Sequence, residues 1–107
     1  MTTLSSVIPD AAHWTKGRME SAKGGHCLLG GLLRIHRARR AERRAAEELL
    51  ASIICEHADL LNYRNYWETK NKSSCQIISE WNDADRRKWP EVESLIAEFD
   101  RRSGSLT

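Results

Sequence analysis

From Leu28 to Leu61 the chain contains no proline and, after Gly31, no glycine, which favours helix along a run of 34 residues. A straight helix of that length extends about 51 Å at 1.5 Å per residue. A compact domain of 107 residues has a radius of gyration of only about 13 Å. The run must therefore break or project from the body. At about 100° per residue, Ile35, Ala38, Ala45, Ala46, Leu49, Ile53 and Leu60 fall on one stripe, with Arg34, Arg37, Arg40 and Arg44 on the far side. Glu42 falls near the middle of that stripe, where a straight helix would bury it unless an arginine pairs with it. The break, or a change of neighbour, is therefore expected near residues 40–45.

The same run holds the charge asymmetry of the chain. Arg34, Arg37, Arg39, Arg40, Arg43 and Arg44, with Glu42 among them, give residues 34–44 a charge of +5 in a chain whose net charge is +2. Such a field fits three roles: a solvated or ion-paired face, a patch for an acidic protein surface, or a contact to nucleic-acid phosphates. Arg43–Glu47 and Arg44–Glu48 are i, i+4 pairs that partly neutralise the face, in the less favourable orientation. A pI of about 8.6 lies below the usual footprint of a nucleic-acid domain, which favours protein binding. Tyr63, Tyr66 and Trp67, interleaved with Arg64, form a second candidate contact, as an interface hot spot or a stacking platform for unpaired bases. Their alternative role is to cap the core at the helix end.

Elsewhere the signals are local. Residues 1–12 read as an N-terminal arm, flexible or laid across the core. From His13 to Gly31 the glycines at 17, 24, 25, 30 and 31 break any period, and Lys23-Gly24-Gly25 closes either a short hairpin or a loop. A helix starting at Ser73 or Ser74 carries Ile77, Ile78 and Trp81 and stops near Asn82-Asp83. Trp89-Pro90 opens the last helix, whose Val92, Leu95, Ile96 and Phe99 share one face, with Gly104 as its stop. The expected fold is mainly α: one compact helical domain over residues 13–104, an irregular Gly-rich N-terminal region and a tail at 105–107. A composition 40% hydrophobic supplies one core, expected to join Trp14, Leu49, Ile53, Trp81, Leu95 and Phe99.

Several classes of chemistry lose support. No run of about 18 apolar residues is present, and the start lacks the basic-then-apolar layout of a signal peptide, so a cytoplasmic protein is expected. Cys27, Cys55 and Cys75 cannot all pair within the chain and form no C-x-x-C, which fits reduced thiols. His26-Cys27 ahead of a helix, with His57 and Asn82 or Asp83, permits a Cys-His-Asn arrangement on paper. A small residue entering a helix before Leu28-Leu29 is equally a packing device. In a zinc site from Cys27, Cys55, His57 and Cys75, the i, i+2 spacing of Cys55 and His57 would point the two to different sides of a helix. Asp83 and Asp85 lack the glycine pattern of a calcium loop. The expectation is no catalytic residue, no metal and no cofactor.

Three short motifs carry a family resemblance. Trp14-Thr15-Lys16-Gly17 matches a W-x-x-G motif, Cys27-Leu28-Leu29-Gly30-Gly31 resembles C-L-x-G-A, and Trp81-Asn82-Asp83 matches W-N-D before the final helix. In their order and rough spacing across residues 14–100 the chain resembles an uncharacterised family of small actinobacterial and bacteriophage proteins. Gly31 stands where alanine is usual, and the helix before the first motif is shortened or absent. The resemblance implies a mainly helical fold and a phage or bacterial context, and it brings no activity with it. Together with the basic segment it implies a small non-enzymatic modulator or inhibitor of a larger bacterial protein or nucleoprotein complex, anti-defence proteins of the anti-CRISPR type being one instance. The alternatives are direct nucleic-acid binding through the arginine helix and a Cys27-dependent enzyme.

Overall fold

The described residues of this computed structural model are 3–17, 24–56, 72–85 and 87–105. Within them the proline-free run divides into α2 (Leu28–Ile35) and α3 (Arg40–Glu56). The break lies at residues 36–39, just ahead of the expected position. His36 leaves helical geometry at ψ 36° and its N–H closes α2 onto Leu32, while the Arg39 N–H bonds the His36 carbonyl at 3.1 Å. The turn also removes the conflict at Glu42, which is exposed and accepts hydrogen bonds from Arg39.

Breaking there resets the helical phase, which corrects the expected stripe. Ala38 and Ala45 are exposed; of the expected positions on α3, Ile53 is buried and Ala46 and Leu49 pack at the margin, and Leu50, Ala51 and Ile54 join them in the buried face. Ile35 also packs partly buried against the core, and Leu60 lies outside the described residues.

The remaining helices are α1 (Leu4–Val7), α4 (Ser74–Asp83) and α5 (Trp89–Ser105), with a 3-10 turn at Ala11–His13. Side chains of Thr3, Asp10, Cys27 and Ser73 each accept the N–H of the residue three positions on, satisfying a donor that a helix start leaves open. Helix α5 runs one residue past Gly104, so that glycine does not stop it. The protein is mainly helical, with a radius of gyration of 12.7 Å.

One core joins every helix. Ile77, Ile78 and Trp81 of α4 and Val92, Leu95, Ile96 and Phe99 of α5 share one cluster with the buried face of α3, on which both helices pack. The N-terminal arm belongs to this core too. Leu4 and Ile8 are fully buried, and α1 packs on α2 and α5. A Cβ on Gly31 would lie 2.8 Å from Leu4 Cδ1 and 3.0 Å from Ile8 Cδ1, so the glycine is what lets α1 sit close on α2. From the far end of the chain, the Asp100 carboxylate accepts the N–H groups of Leu4 at 2.9 Å and Ser5 at 3.0 Å.

Of the two alternatives open at Lys23-Gly24-Gly25, a short hairpin or a loop, the hairpin is not what the described residues form. Trp14 and His26 make a single parallel bridge, with Thr15 N–H to His26 O at 3.1 Å and His26 N–H to His13 O at 2.7 Å. A parallel pairing requires the chain to loop round and re-enter in the same direction, which a two-residue turn cannot do. Lys23 itself lies outside the described residues. No described helix is long and apolar enough to cross a membrane.

Candidate functional site

The three short motifs meet at one side chain. Asn82, buried at the end of α4, accepts the Trp14 Nε1–H at 2.9 Å and the Leu28 backbone N–H at 3.2 Å through the same oxygen. Its amide nitrogen donates to the Thr15 carbonyl at 3.1 Å and to Asp83 Oδ1 at 2.8 Å. Asp83 in turn accepts the Gly17 N–H at 2.9 Å, where the backbone takes φ +76°. Lys16 Nζ reaches the Ala84 carbonyl at 2.9 Å and lies 5.5 Å from the centre of the Trp14 ring. These contacts sew the glycine-rich entry loop to the end of α4. With all its hydrogen-bonding capacity engaged, Asn82 serves the fold and has nothing left with which to orient a catalytic histidine.

Cys27 sits beside this clasp and is built as a cap. Its sulfur accepts the Gly30 N–H at 3.3 Å, and the residue is 8% exposed. Burial pushes the thiol up from its ordinary value, against the smaller lowering from the Gly30 and Leu29 amides. A buried, protonated thiol is a poor nucleophile. Of the residues weighed for zinc, His57 lies outside the described residues, and no group of three or more metal-binding side chains occurs among the described ones.

Trp81 exposes another residue that the sequence reading missed. The Arg87 guanidinium stacks 3.9 Å from the Trp81 ring centre, its Nε–H donates to the Trp81 carbonyl at 2.7 Å, and it pairs with Glu91 at 3.3 Å. The Arg87 side chain is 1% exposed. Its signal in the sequence was the i, i+4 spacing of Arg87 and Glu91 across a helix start, which on its own looks like any surface pair.

The arginine segment forms the outer shoulder of the fold. Arg34 lies in the last turn of α2, Arg37 and Arg39 lie in the turn that follows, and Arg40, Arg43 and Arg44 open α3. All are exposed except Arg43, which is half-buried and pairs with Glu47 at 3.6 Å. Arg39, 73% exposed, pairs with Glu42 at 3.3 Å. Among the described residues, Arg34, Arg37, Arg40 and Arg44 have no carboxylate within ion-pair distance, so of the two expected pairs only Arg43–Glu47 forms. Tyr63, Arg64, Tyr66 and Trp67, the second candidate contact, lie outside the described residues.

Tertiary packing adds a wall that the sequence did not announce. The start of α4 lies against the arginine end of α3, and between them opens a groove of about 440 Å³. Arg40, Arg43, Arg44, Glu47 and Glu48 line one side and residues 73–75 the other. Cys75 donates its S–H to Glu47 Oε2 at 3.2 Å, and its thiol is held above the ordinary value by burial and by that carboxylate.

Fold and site together define a small helical domain with a polar clasp inside and an arginine-rich groove outside. The chain belongs to a family of unknown function (DUF6197), whose model matches residues 3–101. No curated protein and no solved structure matches the chain.

Proposed function

We propose that the protein is a small non-enzymatic binding module that docks through its arginine shoulder on an acidic surface of a larger bacterial protein or nucleoprotein complex. A phage- or bacterium-encoded modulator working in the bacterial cytoplasm, including an inhibitor of a defence complex, is the setting in which such a module fits. The observation that supports this reading is a contrast between two sets of arginines. Arg87 is engaged with Glu91 and the Trp81 ring inside the fold, and Arg101 and Arg102 are paired with carboxylates, Glu98 and Glu56, at its surface. Arg34, Arg37, Arg40 and Arg44 stand exposed, with no carboxylate partner among the described residues. Such a concentration of positive charge steers an acidic partner and gains from pairing with it.

The test is capture of partners from a bacterial lysate, with and without nuclease, by the native chain and by Arg37→Glu/Arg40→Glu/Arg44→Glu. Reversal should abolish capture, the loss appearing partly as slower association and most steeply at low ionic strength, with little change in stability. Retained capture by a folded triple variant overturns the proposal. Capture that disappears with nuclease, with binding to random DNA or RNA that falls steeply with salt, replaces it by direct nucleic-acid binding.

A further inference from the structure

We infer that the groove between α3 and the start of α4 seats a mixed-charge segment of the partner protein, an acidic side chain on Arg40 and Arg44 beside a basic one on Glu48. The inference rests on the docking role proposed above and names the chemistry it recognises. The groove holds about 440 Å³, within the roughly 300–1,000 Å³ of ligand-sized clefts. One carboxylate already occupies part of it: Glu47 lies between Arg43, at 3.6 Å, and the Cys75 S–H, at 3.2 Å. That pairing uses Arg43 and leaves Arg40, Arg44 and Glu48 as the exposed charges of the lining, without an ion pair among the described residues.

The sign pattern selects the class of partner. A phosphodiester chain following the arginines would bring its charges beside Glu47 and Glu48 in the same lining, and like charges repel. A peptide that alternates acid and base meets opposite charge at each position. The guanidinium groups of Arg40 and Arg44 supply the forked donors that match a carboxylate, and Glu48 accepts an ammonium.

Amide-resolved NMR titration of the full chain with the blocked hexapeptide Ac-(Glu-Lys)3-NH2 tests this, with Ac-(Lys)6-NH2, inorganic phosphate and a six-nucleotide oligothymidylate as comparison probes. Saturable shifts confined to residues 40–48 and 73–75 are expected from the mixed peptide. Arg44→Ala and Glu48→Ala should each weaken it at least threefold, with the remaining spectrum unchanged because both side chains are exposed. No saturable shift in the groove overturns the inference, and so does a stronger response there to phosphate, to the oligonucleotide or to hexalysine. Lysate capture by Arg34→Glu/Arg37→Glu, which leaves the groove lining intact, separates the two levels. A silent groove with capture lost in that variant removes only the groove assignment, whereas capture retained by the folded triple variant removes the docking role itself.

Discussion

Asn82 satisfies two donors from segments 54 and 68 residues away in sequence, and this is its contribution to the fold. Replacing it by alanine leaves the Leu28 N–H and the Trp14 Nε1–H without their acceptor. An unsatisfied buried donor costs about 1–3 kcal/mol, and the Trp14 indole is only half-buried, so water can partly replace the lost bond there. Asn82→Ala is therefore expected to lose roughly 2–4 kcal/mol of stability, read as a lower urea midpoint at unchanged slope. A change below about 0.5 kcal/mol, the scale of an ordinary surface substitution, would show that the clasp does not hold the loop. The Trp81-Asn82-Asp83 motif was visible as a helix end. Its role was not, because a side-chain amide can accept from any element that the fold brings to it.

At the scale of elements, the least visible feature is α1. Four residues are too few to form a helix unaided, and α1 persists because Leu4 and Ile8 are buried and Asp100 accepts its first N–H groups. Gly31 sets the distance of closest approach. Gly31→Val should overfill the contact and destabilise by about 1–3 kcal/mol, while Leu4→Ala should cost about 2–5 kcal/mol through the cavity it leaves. The double variant should be less destabilised than the sum of the two, because removing the Leu4 side chain makes room for the valine. Strict additivity in urea unfolding would place the strain elsewhere. The helix break shows the same dependence on context. Glu42 marked the conflict in the sequence, but the turn formed at the residues before it, where α2 had already buried Leu28 and Leu32 and the chain had to turn back to bury Leu50.

At the scale of the whole molecule, α3 and α5 are tied at their C-terminal ends by Arg102, which bonds Glu56 at 2.7 Å and Glu98 at 2.8 Å. Hydrogen bonds from Arg101 and then Arg102 hold the Glu98 carboxyl down to about 2 from an ordinary 4.5. Because the folded value is depressed, the contribution is complete above the unfolded value of 4.5 and is lost as pH falls through about 2. Stability should therefore fall across that acid window, and Glu98→Gln should flatten the fall. The difference should be modest and shrink in high salt, since these charges meet solvent. Thermal melts from pH 5 to 2 check this, and equal acid slopes for the two proteins would remove Glu98 as a contributor.

What could be read from the sequence alone lies within about one helical turn of itself. The helix start at Ser73 or Ser74, Pro90 in the first turn, the Val92-Leu95-Ile96-Phe99 face and the exposure of Arg34, Arg37, Arg40 and Arg44 all depend on neighbours three or four residues away, and all are found. These local rules were enough to set a mainly helical class with one core. The tertiary structure alone decided that Asn82 would join three segments, that Gly31 would receive Leu4, and that the start of α4 would wall the arginines into a groove. Each of these is a meeting of residues far apart in the chain. Periodicity records which face of a helix is apolar, but not which other face it will find, and that choice is made only when all the apolar faces are buried together.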